Sequence, residues 1–372
     1  MSWIRLMAKV VNRHERLWFN SHASSNRRGR LDYFRSRPKI RSAELDDVNE
    51  KVGAAEIDCS EQSISTARAS DIKKILDEKV IGQEPAKQSL SILISMFLHW
   101  NPSSAALNPP PNGIILGPTG SGKTFSIKVA SSALNIPVHV FDATNLVPEG
   151  ARTGSSISEL RAEISRQSAS KVIVFIDEID KLAADEKDNN AYWKSDIQRS
   201  LLKFIETQYV DTSSEEPRAL FIMGGAFSGI ERVRRLRSPE TQRMLSRSKR
   251  TNDVVAEDIK NYGMIPEFVS RLPAIIQYTG LDESALLDIL RHPVSSPLAI
   301  WTNHFAEIGK NLIVSDEFLI EISKRAVALQ IGARGLQQML FTPMSKFAYE
   351  NEDSEQSDLY VDLRHLDEGK SL

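Results

Sequence analysis

Continuous apolar runs alternate with amphipathic segments through the middle of the chain. GIILG, VHVFDAT, KVIVFIDEID and ALFIMGGAF have the length and apolar character of strands that are buried on both faces. FSIKVASSAL, ISELRAEISRQS and IQRSLLKFIETQ lie between or after these runs and show helical spacing. This alternation predicts an α/β fold, in which a parallel sheet is covered by helices on both faces.

The regions on either side of this pattern differ from it. Residues 1–70 have no sustained period and predict a basic, largely disordered N-terminal extension. After about Ile275 the pattern becomes mainly helical, which predicts a second, smaller domain. We therefore expect a large domain at residues 71–275, a small domain at 276–350, and a C-terminal strand or tail at 351–372.

Composition and charge limit the compartments and the classes of protein that fit this sequence. The formal net charge is −2, but Arg and Lys outnumber Asp and Glu in residues 1–42. This basic start is typical of a solvated or partner-binding arm in a bacterial cytoplasmic protein, or of a transit peptide to the mitochondrial matrix. The single cysteine, Cys59, excludes a disulfide within one chain and a zinc site made of cysteines alone. The apolar run SLSILISMFLHW is shorter than the ~20 residues that cross a bilayer, so we expect no membrane partner.

A phosphate-binding motif follows the first apolar run. GPTGSGKT matches G-x-x-x-x-G-K-[ST] between a predicted strand and a predicted helix, where a chance match would be an ordinary loop. In this setting backbone amides face the phosphates, Lys123 reaches their outer oxygens, and Thr124 ligates Mg²⁺. The predicted nucleotide-binding residues here are Gly117, Pro118, Thr119, Gly120, Ser121, Gly122, Lys123, Thr124 and Phe125.

Two adjacent carboxylates end the apolar run KVIVFIDEID. Ligands of open α/β sheets bind at the carboxyl ends of the strands, where Asp177 and Glu178 would lie. Asp177 is predicted to hold Mg²⁺ through water, and Glu178 to orient or deprotonate the attacking water. The alternative is an acidic strand end that caps the next turn. Together with the phosphate motif, the pair predicts hydrolysis of a nucleoside triphosphate.

Seven segments occur in the order and spacing typical of one family. They are VIGQEPAK, GPTGSGKT, FDATNL, FIDEIDKL, IMGGAFSGIERV, YGMIPEFVSRLP and GARGLQQML, and they span roughly residues 71–345. The chain resembles the ClpX-type AAA+ ATPases, the unfoldase subunits of the Clp protease. The related HslU proteins usually carry a long inserted domain for which this chain has little room. The resemblance implies ATP and Mg²⁺ as cofactors and an AAA+ P-loop large domain followed by a small helical domain.

The resemblance also assigns roles to residues outside the phosphate motif. Val80 and Ile81 would line the adenine pocket, although they could equally be core residues. Arg271 matches the arginine finger that reaches a neighbouring subunit's nucleotide, with a surface salt bridge as the alternative. Arg334 matches the second sensor arginine. The predicted catalytic residues are then Lys123, Glu178, Arg271 and Arg334, and the site requires a homo-oligomeric ring, a hexamer if it follows the family. The first sensor stays unassigned.

The first pore loop departs from the family pattern. The family carries Gly-Tyr-Val-Gly where LVPEGARTGSS supplies Gly150, Ala151, Arg152, Thr153 and Gly154. Loss of the aromatic contact predicts a weak grip on apolar polypeptides. The aromatic pair at 192–193 in NNAYWKSD could supply the missing apolar surface, or could pack under a surface loop.

Segments that contact partners in the family also differ. The chain lacks the four cysteines of the N-terminal zinc module, and the short acidic TSSEEP replaces a cationic loop. The run RRLRSPETQRMLSRSKR contains no Ile-Gly-Phe-type tripeptide, which leaves a peptidase partner such as ClpP uncertain. We interpret this run as a solvated flexible loop, with an anionic partner such as nucleic acid as the alternative.

The leading hypothesis is an ATP-dependent protein unfoldase or remodeller. The alternatives are a full ClpX equivalent that feeds a peptidase, an AAA+ motor or switch acting on nucleic acid, and a peptidase-independent assembly factor.

Overall fold

A computed structural model describes residues 67–101, 109–147, 155–184, 189–210, 217–247, 252–292, 295–352, 354 and 356–367. All of them lie in one compact unit, Asp58–Leu372. Residues 1–66 of the predicted N-terminal extension and the chain after residue 367 lie outside the described residues.

The described residues form nine strands in three sheets. In chain order the strands are β1 Gly113–Leu116, β2 Val138–Asp142, β3 Leu146–Val147, β4 Ser155–Ser156, β5 Lys171–Asp177, β6 Arg218–Gly225, β7 Ala274–Gln277, β8 Asn311–Val314 and β9 Asp358–Val361. The largest sheet has the order β2-β5-β6-β1-β7, and every pair in it is parallel. A parallel sheet needs crossover connections, and the helices between its strands provide them.

Fourteen α-helices lie in the described part of the chain. They are α1 Ala69–Lys79, α2 Glu84–His99, α3 Lys123–Ala133, α4 Ile157–Ser165, α5 Ala191–Val210, α6 Ile230–Arg234, α7 Pro239–Arg247, α8 Ala256–Asn261, α9 Pro266–Ser270, α10 Glu283–Arg291, α11 Ala299–Glu307, α12 Asp316–Ala328, α13 Gly332–Glu350 and α14 Arg364–Asp367. Side-chain caps fix several of their starts: Ser156 and Glu159 form a capping box at α4, and Asp282 accepts from the amide of Ala285 at α10. None of these helices is long and apolar enough to cross a bilayer.

Strand β5 shows why the sheet is buried on both faces. Val172, Val174 and Ile176 belong to one core cluster, which includes residues of α4 and α5. Ile173 and Phe175 alternate with them and belong to a second cluster, with residues of α1, α2 and α3. The predicted α/β fold with a doubly covered parallel sheet is therefore confirmed.

A third core cluster lies in the last part of the chain. It joins residues of α10 to α14 with β8 and β9, which pair in parallel. We propose that this cluster is the core of the predicted small domain. The sequence analysis predicted the helical character of this region but did not predict the β8–β9 pair.

The basic run after β6 is not the loop that the sequence suggested. Residues 230–234 and 239–247 form α6 and α7. Between them, Arg237 is buried and forms an ion pair of 2.6 Å with the fully buried Asp258. Leu245 of α7 is also buried, so the interpretation of this run as a solvated flexible loop is wrong for residues 234–247.

Candidate functional site

The phosphate motif forms the turn between β1 and α3. Helix α3 begins at Lys123, and its N-cap is Gly122, which has no side chain to cover the first amides. Such uncapped amides and the helix dipole favour anions. The Lys123 Nζ donates to the carbonyl oxygens of Gly117 at 2.7 Å and Pro118 at 2.9 Å. The lysine therefore lies folded along the turn, with its ammonium group at the place where phosphate oxygens would bind.

Thr124 and Asp177 form the candidate magnesium site. The Thr124 hydroxyl donates to Asp177 Oδ2 at 2.7 Å, although the two residues are far apart in sequence. A hydroxyl and a carboxylate are oxygen ligands of the kind that Mg²⁺ prefers. The described residues contain no group of three or more His, Cys, Asp or Glu side chains that could hold a metal. Two protein ligands fit a magnesium ion that takes its other ligands from phosphate and water.

A cleft of about 330 Å³ brings most of the predicted catalytic residues together. Lys123, Thr124, Asp177, Glu178 and Arg334 all line it. Burial lowers the pKa of Lys123, the carboxylates of Asp177 and Asp180 oppose that shift, and the charge of Arg334 adds to it. Lys123 and Arg334 line the same cleft, and the negative charge of a triphosphate would offset the repulsion between the two cations.

A second, more apolar cavity of about 230 Å³ adjoins the cleft. Val80 and Ile81 line one part of it, and Leu281, Ile289 and Pro297 line another. The residues that border both spaces are Gly120, Gly122, Phe125, Ala333 and Arg334. An apolar cavity beside a phosphate cleft has the shape that a purine base and its phosphates require.

Arg271 lies apart from this cleft. It precedes β7, while the phosphate turn follows the carboxyl end of β1, the parallel neighbour of β7. The two sites therefore lie at opposite ends of these neighbouring strands. Four strand residues, or about 13 Å, separate the two ends. The Arg271 Nη2 lies 2.6 Å from Glu206 Oε1, and the arginine side chain is 54% exposed. Arg271 is not among the described residues that line either cavity.

The end of β6 explains why a first sensor was not found. Gly224 and Gly225 occupy this position, and a Cβ on Gly224 would come within 2.4 Å of the Phe175 ring. Beyond them, the buried Asp180 accepts from the amides of Ala226 and Phe227, each at 3.2 Å. These bonds hold the segment that lines the cleft after β6. The sequence analysis missed Asp180, for which the third acidic residue of FIDEID was the available signal.

The structure describes only some of the predicted pore-loop residues. Residues 150–154 lie outside the described residues, although β3 and β4, which flank them, pair in parallel. Tyr192 and Trp193 begin α5 and are 79% and 47% exposed. The predicted aromatic pair is therefore at the protein surface.

Comparison with known proteins gives a consistent family. An AAA domain of the Cdc48 subfamily matches residues 109–275. The chain is 32% identical over 305 residues to the ATP-dependent Clp protease ATP-binding subunit ClpX 2 of Wolinella succinogenes, covering 73% of this chain and 75% of that protein. It is 31% identical over 331 residues to the ClpX subunit of Bacteroides fragilis (79% of each chain), and 29% identical over 337 residues to that of Porphyromonas gingivalis (81% and 82%).

Proposed function

Because the chain belongs to the ClpX family of AAA+ ATPases, we propose that it unfolds or remodels protein substrates in a ring of identical subunits, in the cytoplasm. It is an ATP-binding ATPase of the Clp type and not itself a peptidase. The resemblance found in the sequence is confirmed. The substrate, the ring and the partner are what we propose.

One observation carries the ring proposal: the candidate arginine finger does not line the cleft of its own subunit. Arg271 lies at the amino-terminal ends of the strands, whereas Lys123 and Glu178 lie at their carboxyl ends. A guanidinium is suited to charge that is spread over phosphate oxygens, and its loss costs 10³ to 10⁵ in rate in GTPases, as an order of magnitude. If Arg271 acts on ATP, it acts on the ATP of another subunit. A closed ring satisfies this requirement for every subunit at once.

Within the cleft, each residue has a distinct task. Lys123 and the first amides of α3 bind the phosphates, and Thr124 and Asp177 would hold Mg²⁺, which neutralises charge on the phosphates when bound. Glu178 orients the attacking water and accepts its proton. The amide of Ala333, beside Arg334, donates to the carbonyl of Gly120 at 3.1 Å. This bond joins the phosphate turn to α13, so that a change in the cleft can move the third core cluster.

The aromatic pair at the start of α5 supports a polypeptide substrate. Tyr192 and Trp193 present apolar surface to solvent, and aromatic side chains gain binding energy by burying such surface. We propose that they contact the substrate chain in place of the aromatic residue that the 150–154 segment lacks. The relatives are subunits of the Clp protease, which makes a Clp peptidase the partner to test.

Capture with a hydrolysis-deficient variant tests the proposal. Glu178→Gln should form a ring with ATP and retain bound polypeptides, which mass spectrometry identifies. In parallel, the wild-type protein should unfold a fluorescent model protein with an exposed peptide tag, only when ATP is present. Recovery of nucleic acid without polypeptide, with no unfolding under ATP, would instead favour the nucleic-acid motor.

A further inference from the structure

Gln83 has an unusual backbone for a residue with a side chain. Its φ of 60° and ψ of 32° are left-handed, and Gly82 before it has a φ of 66°. Two successive left-handed residues are unfavourable when one of them carries a Cβ. Outliers of this kind persist where surrounding contacts fix them, and they concentrate at functional sites.

The contacts that fix Gln83 come from its own side-chain amide. The Nε2 donates to the carbonyl of Thr279 at 2.7 Å, and the Oε1 accepts from the amide of Thr279 at 2.9 Å. The Nε2 also lies 3.4 Å from the carbonyl of Ser121. Gln83 is 8% exposed, so these bonds replace water for a buried amide.

These bonds join three segments that the nucleotide would contact or move. Gln83 ends the turn that carries Val80 and Ile81, which line the apolar cavity. Ser121 lies in the phosphate turn and lines the same cavity. Thr279 lies in the segment between β7 and α10, which leads from the large sheet into the third core cluster.

The other end of the turn is also held. The buried Lys87 donates to the carbonyl of Val80 at 3.2 Å and forms ion pairs with Asp77 and Glu84 at 2.7 and 2.6 Å. Side-chain contacts therefore fix both ends of the turn. Directly after Thr279, a Cβ on Gly280 would meet nothing within 4 Å. The segment that leads to α10 is therefore loosely surrounded from the residue after the one that Gln83 holds.

We propose that Gln83 is a positioning residue for ATP hydrolysis, which couples occupancy of the base cavity to the connection between the large sheet and the third core cluster. The proposal rests on the proposed function, because it assumes that the two cavities bind ATP. Gln83 itself touches no reacting atom. It acts by holding the cavity turn and Thr279 in a fixed relation.

A second buried glutamine provides a matched control. Gln198 in α5 donates from Nε2 to the carbonyl of Leu182 at 2.7 Å and accepts at Oε1 from the amide of Ile265 at 2.9 Å. This is the same two-bond clamp, in a fully buried residue that lines neither cavity. Gln83→Glu and Gln198→Glu each keep the accepting Oε1 and lose the donating Nε2. The two variants therefore remove the same kind of hydrogen bond, one beside the base cavity and one away from it.

The experiment measures ATP affinity, kcat, affinity for inorganic triphosphate and thermal stability in both variants. For Gln83→Glu we expect at least a tenfold weaker affinity for ATP and a tenfold lower kcat, with affinity for inorganic triphosphate within about threefold of wild type. For Gln198→Glu we expect a lower Tm with ATP affinity and kcat within about twofold. Gln83→Met, which keeps the length of the side chain, replaces Gln83→Glu if the latter fails to fold.

Two results would overturn the coupling. One is a Gln83 variant that loses only Tm, like the Gln198 variant; the other is an equal loss of affinity for ATP and inorganic triphosphate. Absence of ATPase activity in the wild-type ring would instead count against the proposed function, which keeps the two failures distinct.

Discussion

At the scale of single residues, Glu178 has a left-handed backbone conformation directly after strand β5. Its φ is 57°, and its amide donates to Asp177 Oδ1 at 2.9 Å. Asp177 therefore binds the hydroxyl of Thr124 with one oxygen and the next amide with the other. This arrangement gives the two carboxylates different partners, as expected if Asp177 holds the metal and Glu178 activates the water.

Glu178→Gln should remove the proton acceptor and preserve nucleotide binding. We expect kcat to fall by at least 10²-fold, the scale of general acid–base catalysis, with ATP affinity within about threefold. Single-turnover hydrolysis and equilibrium binding separate the two effects. Asp142→Asn is the matched control, because Asp142 pairs with Asp177 in the strand register, while its side chain accepts from the nearby Thr144. Equal loss in both variants would contradict the assignment.

Thr124→Val should change the magnesium requirement. Valine keeps the shape of threonine and loses the hydroxyl that donates to Asp177 at 2.7 Å. We expect the Mg²⁺ concentration for half-maximal ATPase activity to rise about tenfold, in line with the loss of a positioned ligand. Thr124→Ser should restore the wild-type value. An unchanged magnesium titration in the valine variant would remove Thr124 from the metal site.

At the scale of elements, the phosphate turn and helix α13 approach each other without side chains between them. Gly120 has a φ of +77°, and a Cβ there would come within 3.1 Å of the Ala333 amide and the Ile331 carbonyl. Gly332, at the start of α13, faces the same turn and would place a Cβ 2.8 Å from the Thr119 carbonyl. Two glycines thus allow the close contact through which we expect the cleft to communicate with α13.

Gly120→Ala should separate these two elements. Gly229→Ala is the control, because Gly229 has a similar φ of +84° but its Cβ would meet nothing within 4 Å. Both variants carry the backbone cost of about 1 kcal/mol or more, and only Gly120→Ala also displaces α13. We expect ATP affinity to fall at least tenfold more in Gly120→Ala than in Gly229→Ala. Isothermal titration would show this difference, and equal affinities would contradict it.

Local patterns in the sequence predicted the strands, the phosphate turn and the position of Asp177 at a strand end, because each depends on residues that are close together in the chain. Contacts between distant residues could not be predicted in this way. Arg237, between the two helices of the basic run, pairs with Asp258, and β8 pairs with β9 across two intervening helices. Gln83 was visible only as part of a motif, since its partner Thr279 lies 196 residues away.

At the scale of the whole molecule, we expect the position of Arg271 to make ATPase activity depend on assembly. Arg271→Ala should abolish most hydrolysis, by roughly 10³-fold on the scale of arginine fingers, with ATP affinity within about threefold. Arg291→Ala is the control, because Arg291 forms a comparably exposed ion pair with Asp316 at 2.7 Å. Steady-state ATPase assays compare the two, and normal turnover in Arg271→Ala would contradict a shared site.

Mixing two inactive variants tests the shared site directly. A ring of Arg271→Ala and Glu178→Gln subunits contains some interfaces in which an intact Glu178 meets an intact Arg271. We therefore expect the mixture to regain a fraction of wild-type activity that neither variant shows alone. No recovery in rings shown by native mass spectrometry to be mixed would mean that the two residues do not act on the same ATP.

The ion pair between Arg271 and Glu206 has a consequence for the supply of fuel in the cell. In a lone subunit the Arg271 guanidinium already has a carboxylate partner, Glu206. The cleft of a lone subunit also receives no arginine from a neighbour. Newly made or dissociated subunits would then hold ATP without consuming it. Fuel consumption would begin only when a neighbour's nucleotide draws the arginine away from its own glutamate, so that assembly itself acts as the switch.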